Sequence, residues 1–328
     1  MKSDNICYFY PHMNLAPILT FLMLFLTALT DVQAQEPELI YRLEPGASYF
    51  LKSDLQQSTH SESLDSEEIS FYNLTHVEFR VDSIDRDKLI YMRVGYRDLL
   101  ISMLAPQMEI DISSASGRDT ILSEMVDLLE QGTFHMVMTA RGELVSLEGL
   151  EELFTPMATF QAKDTIEQQV VMQTLEEAYG PDAFRSLCNV FLYVYPVIYP
   201  MSNWTNDITY YFNTKAVKMV NRYILARSTE ESVVIQGMGM LNSMKEFYET
   251  TGMGKVKSAV SGSQTYDFSI DPRSGWLQRC VSRQRVIIET TILESRYFPP
   301  GLKIPSYTET TFEVTGGRIK PVLKTEKK

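Results

Sequence analysis

Alternation of apolar and polar residues with a period of two is the feature that most constrains the fold of this chain. It is clearest in three segments, which start at Val77, Phe134 and Tyr266. Successive side chains of a β-strand point to opposite faces, so this spacing predicts strands with one buried face. The short turns between such segments predict antiparallel pairing. We therefore predict an α+β, β-dominated fold with a large curved antiparallel sheet.

Two of the predicted hairpins turn at a glycine and resemble one another. The first turns at Gly142, and the second turns at Gly275 and returns in a strand that begins at Trp276. Glycine is favoured at such turns because it adopts positive φ without a steric penalty. The likeness suggests two duplicated halves, although any antiparallel sheet repeats units of this kind.

The period changes between the two strand-rich halves. Apolar residues recur there at three- and four-residue steps, which predicts helices, and Pro181 suits the first turn of one of them. We expect these helices to pack on one face of the sheet. The predicted organisation is a signal peptide over 1–34, a first β-rich half over 35–149, a helical connector over 150–200 and a second β-rich half over 201–328.

The first 34 residues have the pattern of a secretory leader. An apolar stretch from Leu15 to Thr30 is followed by Val32-Gln33-Ala34, which predicts cleavage after Ala34, and Met13 is an alternative start. We expect a periplasmic or secreted protein. No second run of about 18 apolar residues follows, so we expect no membrane span after the leader is removed.

The net charge restricts the classes of partner, and the cysteine count limits the number of disulfides. A net charge of -12 argues against binding to nucleic acid. Cys188 and Cys280 remain after leader removal, so one disulfide can form in an oxidising compartment. The alternative is two separate buried thiols, and the sequence leaves the two at even odds.

No motif for catalysis, metal binding or nucleotide binding is present. His60, His76 and His135 stand apart from one another, and neither HExxH nor GxSxG occurs. We nominate no catalytic residue and no metal ligand, expect no cofactor, and lean against an enzyme.

The strand that begins at Trp276 indicates what kind of interior the sheet has. All its charged residues fall on one face, so the uncharged face is the predicted inner one. Gln278, Ser282 and Gln284 lie on that face and make it more polar than a sealed core. Buried amides and hydroxyls need hydrogen-bond partners, water or a ligand.

The segment from Phe191 to Phe212 is the most aromatic part of the chain. Tyrosine and tryptophan at this density can form a stacking platform for a ligand. Prolines at 196 and 200 favour the other reading, a rigid connector that carries the chain from helix to sheet.

Several motifs in combination resemble a family of uncharacterised secreted bacterial envelope proteins, a domain of unknown function. They are Leu43-Glu-Pro-Gly-Ala-Ser-Tyr49, the Phe134 to Gly142 hairpin with Leu147-Glu-Gly-Leu150, the connector from Tyr195-Pro196 to Trp204, and Asp271-Pro-Arg-Ser-Gly-Trp-Leu277. The chain has Ser202-Asn203 where the family pattern has Gly-Asp. The resemblance implies location and fold, and no activity comes with it.

Two functions agree with these features. The first is non-catalytic binding or carriage of an apolar small molecule or lipid, with the predicted ligand-binding residues Phe134, Met136, Met138, Tyr266, Phe268 and Trp276. The second is an accessory role in which an envelope protein binds the outer surface, with an exposed aromatic patch near Tyr193 to Trp204 as its expected mark.

Overall fold

The computed structural model describes residues 38–61, 69–105, 108–113, 120–161, 173, 175–197, 202–212, 215–243, 245–251 and 254–320. The predicted signal peptide and its cleavage site lie outside these residues. The part of the chain that is described forms one compact unit. None of its helices is long and apolar enough to cross a membrane.

Thirteen described strands form one antiparallel sheet, which confirms the predicted fold class. The strand order is β6-β5-β3-β2-β1-β13-β12-β11-β9-β8-β7, with β4 paired to β3 and β10 paired to β11. The strands are β1 Ser48–Ser61, β2 Ile69–Ile84, β3 Ile90–Ala105, β4 Met108–Ser113, β5 Phe134–Met138, β6 Leu144–Glu148, β7 Asn203–Phe212, β8 Lys215–Ser228, β9 Val233–Asn242, β10 Phe247–Thr251, β11 Gly254–Ile270, β12 Leu277–Glu294 and β13 Lys303–Arg318.

The helices lie between β4 and β7 in the sequence. They are α1 Thr120–Gln131, α2 Leu150–Gln161, a helical segment at 175–179, α3 Pro181–Leu187 and a π-helix Cys188–Leu192 that continues α3. Pro181 occupies the start of α3, as its fixed φ and missing N–H predict.

The sheet has one face that packs on the helices, the inner face, and one that is largely exposed, the outer face. In β12, Cys280, Ser282 and Gln284 are buried while Arg283 and Arg285 are exposed. This confirms that the uncharged face of this strand is the inner one.

The first strand of the sheet pairs with the last. β1 pairs with β13 over thirteen residue pairs, from Tyr49 opposite Arg318 to Ser61 opposite Ser306. At the far end, helix residues cover the open edge of β7. Ser186 Oγ accepts a hydrogen bond of 3.0 Å from Tyr211 N, and Asn189 Nδ2 donates one of 3.0 Å to Thr209 O. Covered edges resist pairing with other chains.

The segment 38–43 lies between the two glycine turns and forms hydrogen bonds with both. Tyr41 N donates to Ala140 O and Arg42 N donates to Ser274 O, each over 2.7 Å. Gly142 and Gly275 have φ of 88° and 72°. A Cβ at Gly142 would collide with the Leu192 carbonyl oxygen, so the turn accepts only glycine without rearrangement.

Trp276 is at the centre of the core beneath these turns. Its ring packs against Tyr41, Tyr49 and Phe79 at centroid distances of 5.0 to 5.8 Å. Its indole Nε1 donates a hydrogen bond of 3.0 Å to Phe50 O. A buried indole needs such a partner, so the contact fixes the start of β12 against β1.

Candidate functional site

A cavity of about 300 Å³ lies between the inner face of the sheet and the helices. Its floor comes from β1, β2, β7, β11 and β13, and its roof comes from the 175–179 segment, α3 and the π-helix. This volume is at the lower end of the range for small-molecule sites. The side chains of the sheet and of the helices therefore do not fill the space between them at this position.

Most of the cavity wall is apolar. The apolar side chains that line it are Leu55, Ile69, Phe71, Ala178, Ala183, Leu187, Val190, Phe191 and Phe312. Phe191 and Phe312 touch edge to face across the cavity end, with ring centroids 5.8 Å apart. Val190 and Phe191 belong to the π-helix, a conformation that is rare and is often found at functional sites.

A polar row crosses the inner face and reaches this cavity. Direct cross-strand neighbours, from β7 to β1, are Asn206, Asn221, Gly239, Gln264, Gln284, Thr310 and Gln57. Cross-strand neighbours lie about 5 Å apart, so the polar side chains form a row across the inner face that is interrupted at Gly239. Gln264 and Gln57 line the cavity. The polar character seen in the sequence of β12 thus extends to polar side chains on six strands.

Hydrogen bonds link the members of the row next to the cavity. Tyr210 OH donates to Gln284 Oε1 over 3.4 Å, Gln284 Nε2 donates to Gln264 Oε1 over 2.9 Å, and Gln264 Nε2 donates to Ser282 Oγ over 2.6 Å. Burial raises the pKa of Tyr210, so its hydroxyl stays protonated and can donate. Thr310 Oγ1 donates to Gln57 Oε1 over 3.4 Å.

An acidic cleft adjoins the cavity and shares Glu177, Ala183 and Tyr211 with it. The cleft has a volume of about 500 Å³ and one basic side chain among its described residues, Arg185. Its carboxylates belong to Glu151, Glu176, Glu177 and Asp182. Within the described residues, Glu177 is the one charged side chain that lines the cavity itself.

The six predicted ligand-binding residues lie in the packed core instead of the cavity. Their exposed fractions are 2% or less, so they present no surface to a ligand in this structure. α3 covers Phe134 through Phe184, whose ring centroid is 4.9 Å away, and Tyr266 stacks on Phe268 at 5.5 Å. Helix side chains and neighbouring aromatic rings fill these faces, which is the usual fate of an apolar strand face.

The predicted aromatic connector lies largely in the interior. Tyr195 OH donates to Gly275 O, and Trp204 Nε1 donates to Val194 O over 2.8 Å, so both side chains are buried and act as a rigid connector. They form no exposed patch, and Tyr199 lies outside the described residues.

Cys188 and Cys280 are buried and free. Burial raises the pKa of both thiols.

Sequence reasoning missed the cavity because its wall combines residues from five strands and three helical pieces. One signal was available, the polar inner face of β12, which borders the cavity through Gln284 and its partner Gln264. No group of three or more His, Cys, Asp or Glu among the described residues is arranged to hold a metal ion.

Residues 87–277 match a family of unknown function, DUF6263. The chain belongs to the DUF6263 family. The DUF6263 match spans the strands from β3 to β11, the helices that roof the cavity, and the turn at Gly275. A search of curated proteins found no match.

Two solved structures have a measurable likeness to the DUF6263 chain. Lipovitellin, in a structure of its lipid–protein interactions, shares 8% identity over 87% of this chain and 26% of its own, with a TM-score of 0.47. OpdQ of Pseudomonas aeruginosa shares 5% identity over 85% of this chain and 100% of its own, with a TM-score of 0.23. The chain spans about a quarter of the lipovitellin length. At these scores neither likeness supports a statement about function.

Proposed function

We propose that this protein binds and carries an apolar or amphipathic small molecule, such as a lipid, in the cavity beneath the π-helix. The observation that supports the proposal is the cavity itself, with nine apolar side chains around its wall and buried polar groups at its floor. Ligand sites commonly combine a mostly apolar lining with a few placed polar groups.

The energetics favour a ligand role over a packing defect. Unfilled space beside apolar side chains forfeits dispersion contacts and destabilises a fold. Ala178 and Ala183 line the cavity from the helices, and a larger apolar residue at either position would reduce its volume. Alanine at both positions leaves this space open, which supports a ligand role.

Native mass spectrometry tests this proposal on the wild type and two variants. Ala183→Phe fills the cavity, and Ala226→Phe is its control because Ala226 is exposed on β8. We expect an added mass of a small molecule on the wild type and on Ala226→Phe, lost on denaturation and absent from Ala183→Phe. Wild type that remains bare after incubation with a lipid extract, or an equal adduct on all three, would overturn the proposal.

The place of action proposed here is the periplasm or the exterior, after removal of a leader near Ala34. The apolar stretch from Leu15 to Thr30 and the small residues Val32 and Ala34 support it. N-terminal sequencing of the mature protein tests it. A mature chain that starts near Gln35 is expected, and a cytoplasmic chain that retains residues 15–30 would contradict it.

A binding role for the outer surface is the second candidate. The aromatic connector does not serve as its site, because the described aromatic side chains there, Tyr193, Tyr195 and Trp204, are buried or half-buried. Exposed apolar residues on the outer face of β8 and β9, namely Ile224, Met238 and Met240, are one place where a protein partner could bind. The cavity is the better supported site, because it combines an apolar wall with buried polar groups.

A further inference from the structure

Apart from the carboxylate of Glu177, the described groups that line the cavity are uncharged, and this restricts the ligand. The uncharged polar side chains of its lining are hydroxyls and amides, and they come from Ser53, Gln57, Asn73, Thr75, Ser186, Tyr210, Tyr211 and Gln264. No lysine, arginine or histidine is present among the described lining residues. A buried carboxylate or phosphate needs a cation or several strong donors to offset its desolvation, so an anionic head group has no suitable place here.

The hydrogen bonds already made leave both donors and acceptors for a ligand. Tyr210 gives its proton to Gln284, so its oxygen lone pairs remain to accept. Gln57 accepts from Thr310 through Oε1, and its Nε2 has no partner among the described residues. Asn73 likewise accepts from Thr75 through Oδ1, over 2.7 Å, and leaves its amide nitrogen to donate. A group that donates and accepts at once matches this set.

The charges of the adjoining acidic cleft act in the same direction. Glu177 lines the cavity, and the adjoining cleft adds Glu151, Glu176 and Asp182 against Arg185. Gln173 Nε2 donates to Glu177 Oε1 over 2.8 Å, which holds that carboxylate in place without neutralising it. Negative charge beside the cavity disfavours anionic ligands, and the net charge of -12 adds to the effect.

We infer that the cavity selects an uncharged amphiphile, whose hydroxyl or carboxamide head group bonds to Gln57, Asn73 and Tyr210 while its hydrocarbon part packs against Phe71, Phe191 and Phe312. The inference rests on the proposed function and specifies the ligand class of the same site. A fatty alcohol, an acylglycerol and a fatty amide have head groups of this kind. A fatty acid, a phospholipid and a fatty amine do not.

Four probes with the same decyl chain test this selectivity by isothermal titration calorimetry on the full chain at neutral pH. They are 1-decanol, decanamide, decanoate and decylammonium. We expect one site for decanol and decanamide, with dissociation constants at least tenfold lower than those of decanoate and decylammonium. Tight binding of decanoate would overturn the inference and leave the proposed function intact. Tight binding of decylammonium would place the head group at the acidic cleft and also overturn it.

Failure of all four probes would instead contradict the proposed function. Gln57→Leu and Gln56→Leu form a matched pair, because these neighbours on β1 face the cavity and the solvent respectively. We expect Gln57→Leu to weaken decanol binding about fivefold, the effect of one lost hydrogen bond, and Gln56→Leu to leave it unchanged. Glu177→Gln should strengthen decanoate and leave decanol unchanged. Equal effects of the two glutamine variants would refute the assigned head-group position.

Discussion

The side-chain nitrogen of Gln284 donates a hydrogen bond of 2.9 Å to the side-chain oxygen of Gln264 on the inner face of the sheet. Their exposed fractions are 4% and 1%, so both amides are removed from water. Apolar residues would fill a β-sheet core without this requirement, whereas every buried amide must find hydrogen-bond partners. The pair marks the place where the interior of this protein departs from ordinary packing, next to the cavity.

Gln264→Leu tests the energetic role of this pair. It leaves Gln284 Nε2 and Ser282 Oγ without their partner, so we expect a loss of about 2 kcal/mol in the free energy of unfolding. The double variant Gln264→Leu with Gln284→Leu removes both amides, and its loss should be less than the sum of the two single losses. Urea unfolding measures these values, and strict additivity would contradict the coupling.

Gly142→Ala tests the close approach of the first glycine turn to the π-helix. Gly46→Ala is the matched control, because Gly46 also has positive φ, 80°, but has open space where a Cβ would lie. We expect a loss of about 1 kcal/mol for Gly46→Ala from backbone strain, and about 3 kcal/mol for Gly142→Ala from strain plus collision with Leu192 O. Equal losses in thermal or urea unfolding would show that the approach is not restrictive.

The cysteines give a chemical prediction. Burial keeps Cys188 and Cys280 as protonated thiols, so a thiol reagent should not modify the native protein at neutral pH. After unfolding in denaturant without a reductant, two thiols per mature chain should react. The intact mass, compared before and after reduction, is the independent measurement. A gain of two protons on reduction would reveal a disulfide and contradict the structure.

Alkaline pH should destabilise the fold through its buried tyrosines. Burial raises the folded-state pKa of Tyr41, Tyr96, Tyr179, Tyr195, Tyr223 and Tyr266 above the unfolded value of about 10. Above that pH the native state holds protons that the unfolded state releases, so stability is complete below about pH 10 and falls by up to about 1.4 kcal/mol per pH unit for each tyrosine.

The measurement is tyrosinate absorbance during a pH titration, with circular dichroism on the same samples. Ionisation of the buried tyrosines should coincide with loss of β-structure. The control is Tyr297→Phe, since Tyr297 is 77% exposed and its removal should leave the unfolding midpoint unchanged. Ionisation of all tyrosines near pH 10 with the fold intact would contradict their burial.

The sequence was sufficient to predict the local elements and their faces. Alternation identified the strands from Phe134 and Tyr266, and the glycine turns at 142 and 275 were placed correctly, because both signals are local. The pairing of β1 with β13 joins residues about 250 positions apart, and no local pattern encodes it. The cavity depends on that pairing and on how closely the helices approach.

The six predicted ligand-binding residues also show what a local sequence pattern cannot predict. Apolar alternation predicts burial, and Phe134 and Trp276 are buried as expected, but the pattern does not tell a ligand-facing side chain from one covered by Phe184 or Tyr41. The polar residues of β12 were the better guide, since a buried amide calls for an explanation that a buried phenylalanine does not.

The position of a bound ligand is the most direct test of this account. Methyl resonances of leucine and valine can be followed by NMR during a titration with either 1-decanol or decanoate, whichever of the two binds more tightly. We predict saturable shifts at Leu55, Leu187 and Val190, which line the cavity, and unchanged resonances at the exposed Val145 and Leu302. Shifts confined to Val145 and Leu302, or no saturable shift at the cavity methyl groups, would contradict ligand binding beneath the π-helix.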